Sequence, residues 1–236
     1  MTEATAALQR WINAKAQLIG APIKVAVDGL RGPATRQGLY DLMANRKAPA
    51  VTPDQLRALA ARLGGTLKQL QAVAEVESNG GGFLTTGHPK ILWERHYFWK
   101  RIQLKIPLLS DPKPGGYTLD ADNDGINDSW EKLVDAASRK PISAFESASW
   151  GKFQVMGAWW QKLGYPSALE FGWTMRESEL AHYEALARYI ENFGGKTLFQ
   201  RLSGNPMDCL PFAKFYNGPA QKGYDQRLAK AMRELR

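Results

Sequence analysis

The apolar and polar residues follow a helical repeat along most of the chain. Leu8, Trp11, Ile12 and Ala16 recur at a spacing that places them on one helix face. Alternating patterns typical of β-strands are scarce. The sequence therefore predicts a mainly α-helical fold, with further helices near 34–45, 91–103, 128–138, 154–163, 176–193, 208–216 and 223–235.

Helix-start signals become clear after the first fifty residues. The segment TPDQ at Thr52 combines an N-cap threonine, a proline at the first helical position and a capping-box glutamine. The segment TLKQ at Thr66 is a second capping box. The short, polar run ANRKAPAV at 44–51 has the composition of a linker. We therefore predict a small domain over residues 1–50 and a larger helical domain over 51–236.

The run EVESNGGG ends one predicted helix and contains two glutamates. On a 3.6-residue period Glu77 lies in line with the apolar stripe of Leu70, Val73 and Ala74, whereas Glu75 lies on the opposite side. A carboxylate in line with a core stripe is costly unless it is paired or has a raised pKa. Glu75 is therefore expected to be solvated, and Glu77 is the candidate for chemistry.

Two interpretations of Glu77 remain open at this point. A raised pKa suits a general acid at neutral pH, and glycosidic bonds are cleaved with the help of such acids. The glycines after it would allow a long polymer to approach the helix end closely. The alternative is a structural ion pair between Glu77 and an arginine such as Arg95.

Composition and charge narrow the class of partner. The 236 residues carry a formal net charge of +8, which favours an anionic partner such as nucleic acid, a membrane surface or a cell-wall polymer. A single cysteine, Cys209, excludes an internal disulfide framework. The first residues lack the pattern of an ordinary secretory signal, and no apolar run is long enough to span a membrane. We expect synthesis and initial residence in the cytoplasm, without stable membrane insertion.

Several motifs occur in the order seen in one known family. They are AEVESNGGGF, WERHYFWK, SASWGKFQVMG, KFYNGP and a tyrosine, Tyr224, on the predicted C-terminal helix. In this order they resemble the phage endolysin N-acetylmuramidases of the lysozyme-like superfamily, over residues 51–236. The resemblance implies a larger lysozyme-like helical domain that hydrolyses the β-1,4 bond between N-acetylmuramic acid and N-acetylglucosamine in peptidoglycan.

The resemblance also implies roles for individual residues. Glu77 would be the general acid, Tyr216 and Asn217 would position that acid or the sugar, and Gln154 would hydrogen-bond an acetamido group. The alternative for the last three is a purely structural role. Glu94 is the candidate for a second catalytic carboxylate. Its alternative is a buried pair with Arg95 or His96.

A twelve-residue segment, DADNDGINDSWE, matches the EF-hand calcium-loop pattern. Five acidic residues so close together would repel one another without a cation, and a glycine occupies the position of the sharp turn. The alternative is a solvated acidic loop. No cofactor is expected for catalysis, but a structural calcium ion is predicted here, with ligands from Asp120, Asp122, Asp124, Ile126, Asp128 and Glu131.

The first fifty residues contain a second resemblance. VDGLRGPATRQGLYDLM, at 27–43, is similar to the turn-and-helix signature of the small three-helix peptidoglycan-binding domain. The motif reflects mainly structural needs, a tight turn followed by a helix start. It implies a wall-binding domain over 1–50 that raises the local concentration of an enzyme on an insoluble substrate.

The predicted function is therefore a modular endolysin for host lysis. Lytic transglycosylation on the same scaffold, or a non-catalytic wall-binding or virion protein, are the alternatives. Charge alone suggests nucleic acid, and no recognition motif for it is found. The expected partner is bacterial peptidoglycan, reached from the cytoplasm of the infected cell with the help of a holin. After release the protein would act in the periplasm or cell wall, and we expect a monomer.

Overall fold

The prediction of a mainly helical fold is confirmed by a computed structural model, which describes residues 2–77 and 80–235. The described residues contain twelve α-helices and one small sheet. The helices are α1 (Glu3–Leu18), α2 (Pro33–Met43), α3 (Pro53–Arg62), α4 (Leu67–Glu77), α5 (Arg95–Ile102), α6 (Asp128–Arg139), α7 (Pro141–Glu146), α8 (Ala168–Glu177), α9 (Glu179–Asn192), α10 (Lys196–Gln200), α11 (Pro206–Asn217) and α12 (Tyr224–Glu234). The strands are β1 (Ile91–Trp93), β2 (Ala148–Trp150) and β3 (Val155–Met156).

The chain forms two compact units, and each is built from two separate segments. Unit 1 comprises Met1–Lys47 and Phe83–Arg176, and unit 2 comprises Ala48–Gly82 and Glu177–Arg236. The chain passes from the first unit to the second close to the predicted linker. The division into a binding domain over 1–50 and a catalytic domain over 51–236 stays a prediction.

In unit 1 the N-terminal helices share a core with the central ones. Leu8 and Ile12 of α1 and Leu39 of α2 are fully buried, and both helices pack against α6. The Thr5 hydroxyl donates a hydrogen bond to the carbonyl oxygen of Ser138, at 2.9 Å. The first segment is therefore continuous with the interior of this unit.

The sheet of unit 1 corrects two helix predictions. Residues 91–93 are strand β1, which pairs antiparallel with β2, and the helix in this region begins only at Arg95. The predicted helix over 154–163 is instead β3 followed by a short 3₁₀ turn, Gly157–Trp159. A Cβ on Gly157 would lie 2.0 Å from the Phe145 carbonyl oxygen, so this segment is held against the α7 backbone by a tertiary contact.

In unit 2 the capping patterns are confirmed. Thr52 and Gln55 form a reciprocal capping box at α3. The backbone N–H of Thr66 donates to Gln69 Oε1 at 2.8 Å, and the N–H of Gln69 donates to Thr66 Oγ1 at 3.2 Å, at the start of α4. Both helices therefore begin where the sequence indicates.

The last helix closes unit 2. The buried side of α12 carries Leu228, Ala229 and Ala231, and this helix packs against α11 and α4. Cys209 on α11 is fully buried, as expected of a small apolar residue. Among the described helices, none combines the length and the apolar character needed to cross a membrane. The packing of α12 brings the residues that follow Gly223 to the end of α4, where Glu77 lies.

Candidate active site

Glu77 is the last residue of α4, at the end of its buried stripe. Leu70 and Val73 are fully buried and Ala74 nearly so, whereas Glu75 is exposed. The predicted difference in exposure, with Glu75 solvated and Glu77 partly buried, is therefore confirmed. Ser78 and Asn79 of the same motif lie outside the described residues.

The carboxylate of Glu77 is contacted by the other two helices that meet at this end of α4. The side-chain amide of Asn217, the last residue of α11, donates a hydrogen bond to Glu77 Oε1 at 3.3 Å. Tyr224, the first residue of α12, directs its hydroxyl toward the same carboxylate. The site thus depends on three helix ends within unit 2.

Tyr224 is an unusually placed tyrosine. Its side chain is 1% exposed, and its hydroxyl makes no hydrogen bond of normal geometry with any described residue. A buried hydroxyl without a partner is costly, so its position near Glu77 calls for an explanation. The hydroxyl is available to bond Glu77, or a group bound beside it, during a reaction.

The electrostatic setting of Glu77 favours its protonated form. Burial raises its pKa above the ordinary value, and the interactions with Tyr224, Asn217 and Arg227 offset only part of that effect. Burial, followed by the charge of Glu77, raises the pKa of Tyr216 and of Tyr224 well above the usual range. The two phenols therefore stay protonated, as hydrogen-bond donors, at any physiological pH.

Tyr216 precedes Asn217 on α11 and packs among aromatic rings. Its ring lies parallel to that of Phe212, with centroids 5.9 Å apart, and nearly parallel to that of Tyr224, at 6.3 Å. It also meets Tyr189 edge to face, at 5.7 Å. This stack fixes the end of α11, and with it the amide of Asn217.

Glu94, the second candidate carboxylate, lies in unit 1 just before α5. The Tyr117 hydroxyl donates a hydrogen bond to Glu94 Oε2 at 2.6 Å, and His96 Nδ1 lies 3.2 Å from the same oxygen. Burial lowers the pKa of His96, which favours the neutral imidazole at pH 7. Partial burial, and then the bond to Glu94, raises the pKa of Tyr117 to about 12.

Of the two alternative partners for Glu94, His96 does lie against the carboxylate, at 3.2 Å, beside the shorter contact from Tyr117. Arg95, also the proposed structural partner of Glu77, donates to the carbonyl oxygens of Lys113 and Pro114 in unit 1. Tyr117 was missed because it lies in an irregular loop, where no periodicity signals a contact.

Gln154 also lies in unit 1, in the turn between β2 and β3. Its backbone is left-handed, with φ of 49°. Its side-chain carbonyl oxygen accepts from the Ser149 hydroxyl at 2.7 Å, and its amide nitrogen donates to the Gly151 carbonyl oxygen at 2.8 Å. The side chain is thus held rigidly at an exposed position.

The acidic segment of unit 1 adopts a tight loop that leads into α6. Asp120 accepts hydrogen bonds from the backbone N–H groups of Asp124 and Gly125, each at 3.1 Å, and Gly125 has φ of 83°. Burial, and then the neighbouring aspartates, raise the pKa of Glu131. Two sets of three side chains, which share Asp122, have carboxylate oxygens within 4.8 Å of one another. One set is Asp120, Asp122 and Asp124, and the other is Asp122, Asp128 and Glu131.

Arg227 is a further residue near the site that the sequence did not single out. Its guanidinium lies over the ring of Tyr224, 5.4 Å from the centroid, and its charge acts on Glu77. Its position about one helical turn after Tyr224 is the signal that could have identified it.

A family model described as Muramidase (N-acetylmuramidase) matches residues 66–236, the stretch that contains Glu77 and Asn217. The chain is also similar to the crystal structure of Burkholderia AP3 phage endolysin, with 31% sequence identity and a TM-score of 0.69. That match covers 98% of this chain and 94% of the other. No curated protein matches the chain at a significant level.

The structural match covers nearly the whole chain, and therefore nearly all of the residues that match the family model. The match to the family model extends over well more than half of the chain. The chain therefore belongs to the N-acetylmuramidase family: it is a glycoside hydrolase of the lysozyme type that acts on bacterial peptidoglycan.

Proposed function

We propose that this protein is an endolysin that hydrolyses the β-1,4 bond between N-acetylmuramic acid and N-acetylglucosamine during host lysis. The observation that carries the proposal is Glu77, a partly buried glutamate with a raised pKa, held by Asn217 at a helix end. An acid that keeps its proton near neutral pH is what cleavage of a glycosidic bond requires. The similarity to a phage endolysin supports the biological role.

In the proposed reaction Glu77 donates its proton to the bridging oxygen as the bond from that oxygen to the anomeric carbon breaks. A water molecule adds its oxygen to the anomeric carbon and loses a proton, so that both products end in hydroxyl groups. The carboxylate left on Glu77 is stabilised by the Asn217 amide and the Tyr224 hydroxyl. Both donors act more strongly on the anion than on the neutral acid.

Glu94 is proposed as the second carboxylate, which would orient or deprotonate that water. The short hydrogen bond from Tyr117 and a side chain that is only 16% exposed fix its position. If Glu94 has this role, Glu94→Gln lowers kcat with little change in thermal stability. Glu146→Gln, which breaks an ion pair with Arg101 elsewhere in unit 1, is the matched control.

Three further residues are proposed to bind or position the substrate. Gln154 is rigid and exposed, so its remaining N–H and lone pair suit an acetamido group. Asn217 and Tyr216 would act at the end of α11, the first through its amide and the second through its place in the aromatic stack.

The loop over residues 120–131 is proposed to bind calcium. Three of its features fit: the pattern of oxygen donors, the left-handed glycine at the turn, and a glutamate at the twelfth position whose pKa is raised by burial and then by its acidic neighbours. A bound cation would supply structural order and no step of the reaction.

The first fifty residues are proposed to bind the wall. Their basic side chains, including Lys24 and Arg31, suit an anionic polymer. In the proposed life cycle the protein stays in the cytoplasm as a monomer until a holin opens the membrane, and then reaches peptidoglycan from the periplasm.

The decisive experiment is mass spectrometry of fragments released from purified peptidoglycan by the native chain and by Glu77→Gln. Reducing-end muramic acid from the native chain alone supports the proposal. Anhydro-muramic ends would make the enzyme a lytic transglycosylase. Reducing ends at N-acetylglucosamine would assign the other glycosidic bond. Equal release by both proteins would remove Glu77 from the reaction.

A further inference from the structure

The cations of α12 differ in how they are partnered. Lys230 pairs with Glu234 at 3.8 Å, and Arg233 donates a hydrogen bond to the Gly204 carbonyl oxygen. Among the described residues, Arg227 has neither an ion pair nor a hydrogen bond to its side chain; its contact is with the Tyr224 ring. It is also exposed, so its five N–H donors are accessible to a ligand.

The location of Arg227 makes this availability relevant to the active site. The ring of Tyr224 supports the guanidinium, which lies close enough to Glu77 to favour the ionised carboxylate. A cation beside a general acid works against catalysis, because it promotes loss of the proton that the acid must donate. A negative charge on the substrate would remove this disadvantage when the substrate binds.

Peptidoglycan carries such charges at a defined place. Its N-acetylated sugars are neutral, whereas the lactyl group of muramic acid bears either a peptide with free carboxylates or, where the peptide has been removed, a carboxylate of its own. A guanidinium matches a carboxylate through two parallel hydrogen bonds, which an ammonium cannot form.

We propose that Arg227 binds a carboxylate of the lactyl–peptide substituent of the muramic acid at the scissile bond, and that it thereby makes the enzyme select acidic peptidoglycan. This inference rests on the proposed muramidase function. It assigns to Arg227 a direct contact with the substrate, in addition to its effect on Glu77.

The test pairs a change in the enzyme with a change in the substrate. Soluble peptidoglycan strands are used untreated, after carbodiimide-driven amidation of their carboxyl groups, and after amidase removal of the peptides. The rate of reducing-end release is measured for the native chain, Arg227→Met, Arg227→Lys and Lys230→Met. Lys230→Met removes one positive charge from the same helix and serves as the control for net charge.

On untreated strands we expect Arg227→Met to lower kcat/KM by about tenfold or more, the range for a charge-assisted hydrogen bond. The kcat/KM of Arg227→Lys should lie between those of Arg227→Met and the native chain, and that of Lys230→Met should stay near the native value. On amidated strands the native chain and Arg227→Met should become nearly equal. Loss of the difference on amidase-treated strands assigns the bound carboxylate to the peptide, and its persistence shows that the lactyl carboxylate freed by the amidase is bound as well.

Other outcomes separate this inference from the function on which it rests. An equal loss for Arg227→Met on untreated and amidated strands would mean that Arg227 acts only through Glu77 or Tyr224, and would overturn the inference alone. A rate for Arg227→Met equal to that of the native chain on all strands would also overturn the inference alone. Failure of the native chain to release reducing ends from any strand would overturn the muramidase proposal and this inference with it.

Discussion

At the scale of single residues, the proposed chemistry depends on Glu77, whose pKa is raised by burial and lowered by residues from distant parts of the chain. The helix repeat carries the carboxylate into line with a buried stripe, where ionisation is unfavourable. Asn217 and Tyr224 then supply donors for the anion. Burial therefore disfavours the ionised form of Glu77, and the two donors stabilise that form once the proton has been donated.

Replacement of Glu77 by glutamine should abolish most activity and stabilise the fold. The general-acid contribution is about 10²–10⁴-fold in kcat. Because the folded-state pKa is raised, native stability is lost as pH rises from the unfolded glutamate value, about 4.3, through the folded value. Glu77→Gln should therefore melt at a higher temperature than the native chain at pH 7, with the difference vanishing near pH 4.

The control for this prediction is Glu75→Gln, two residues away on the exposed side of α4. It should leave both the activity and the pH dependence of the melting temperature unchanged. A Glu77→Gln protein that still clears cell walls would remove the general acid from the mechanism.

Replacement of Tyr224 by phenylalanine tests the unpartnered hydroxyl. Since the hydroxyl lowers the pKa of Glu77, its loss should raise that pKa and move the alkaline limb of the kcat/KM profile to higher pH. On the acidic plateau kcat should fall about tenfold, because the anion loses a donor. Near pH 4, where Glu77 is protonated with or without the hydroxyl, the melting temperature should hold, because no normal hydrogen bond to a described residue is broken.

Tyr165→Phe provides the matched control, since Tyr165 is a buried tyrosine that packs on Phe171 in unit 1. Its pH profile should match that of the native chain. An unshifted alkaline limb in Tyr224→Phe would show that the hydroxyl does not act on Glu77.

Much of this residue-scale picture could be predicted from the sequence, for a physical reason. The orientation of Glu77 follows from a helix period that extends over a few residues. Asn217 required a family motif, because it is 140 residues away along the chain. Tyr117 could not be predicted, because neither periodicity nor a motif links an irregular loop to Glu94.

At the scale of elements, the sequence predicts a helix start correctly where the residues at that start cap the helix themselves. The starts of α3 and α4 follow from side chains that bond within the same turn. The strands were missed because β1 finds its partner, β2, more than fifty residues later, and a three-residue strand has no period of its own. Tertiary pairing decides such segments.

The acidic loop gives a prediction at this scale. If it binds calcium, excess Ca²⁺ should raise the melting temperature of the native chain, by the equivalent of about 2.7 kcal/mol at a concentration of 100 times Kd. Chelation should reverse the gain. The measurement is thermal unfolding with Ca²⁺, with Mg²⁺ and with chelator.

Asp120→Asn and Glu131→Gln should abolish the response to Ca²⁺, whereas Asp54→Asn, at an exposed ion pair in unit 2, should keep it. If the native chain melts at the same temperature with Ca²⁺ and with chelator, the loop is a solvated acidic turn. Its hydrogen bonds from Asp120 would then suffice to hold it.

At the scale of the whole molecule, the division into units bears on how the first fifty residues can be used. Leu39 on α2 and Leu133 on α6 are both fully buried in unit 1, and the two helices pack against each other. We expect Leu39→Ala and Leu133→Ala each to cost about 2–5 kcal/mol and to lower the same unfolding transition. Calorimetry and tryptophan fluorescence, to which the buried Trp130 contributes, are the measurements.

Met207→Ala, at an exposed position in unit 2, is the control and should leave that transition unchanged. A separate, earlier calorimetric transition for Leu39→Ala that Leu133→Ala does not show would contradict the shared core. The first fifty residues would then fold as an independent binding domain.

The contact between Asn217 and Glu77 has a consequence for when this enzyme becomes active. During synthesis the ribosome completes the acid-bearing helix early, but the amide that holds the acid follows 140 residues later, and Tyr224 later still. A nascent chain released before residue 217 carries an acid that lacks both donors. The proposed acid therefore has both donors only once the chain through residue 224 has been made, and we expect shorter products to be less active.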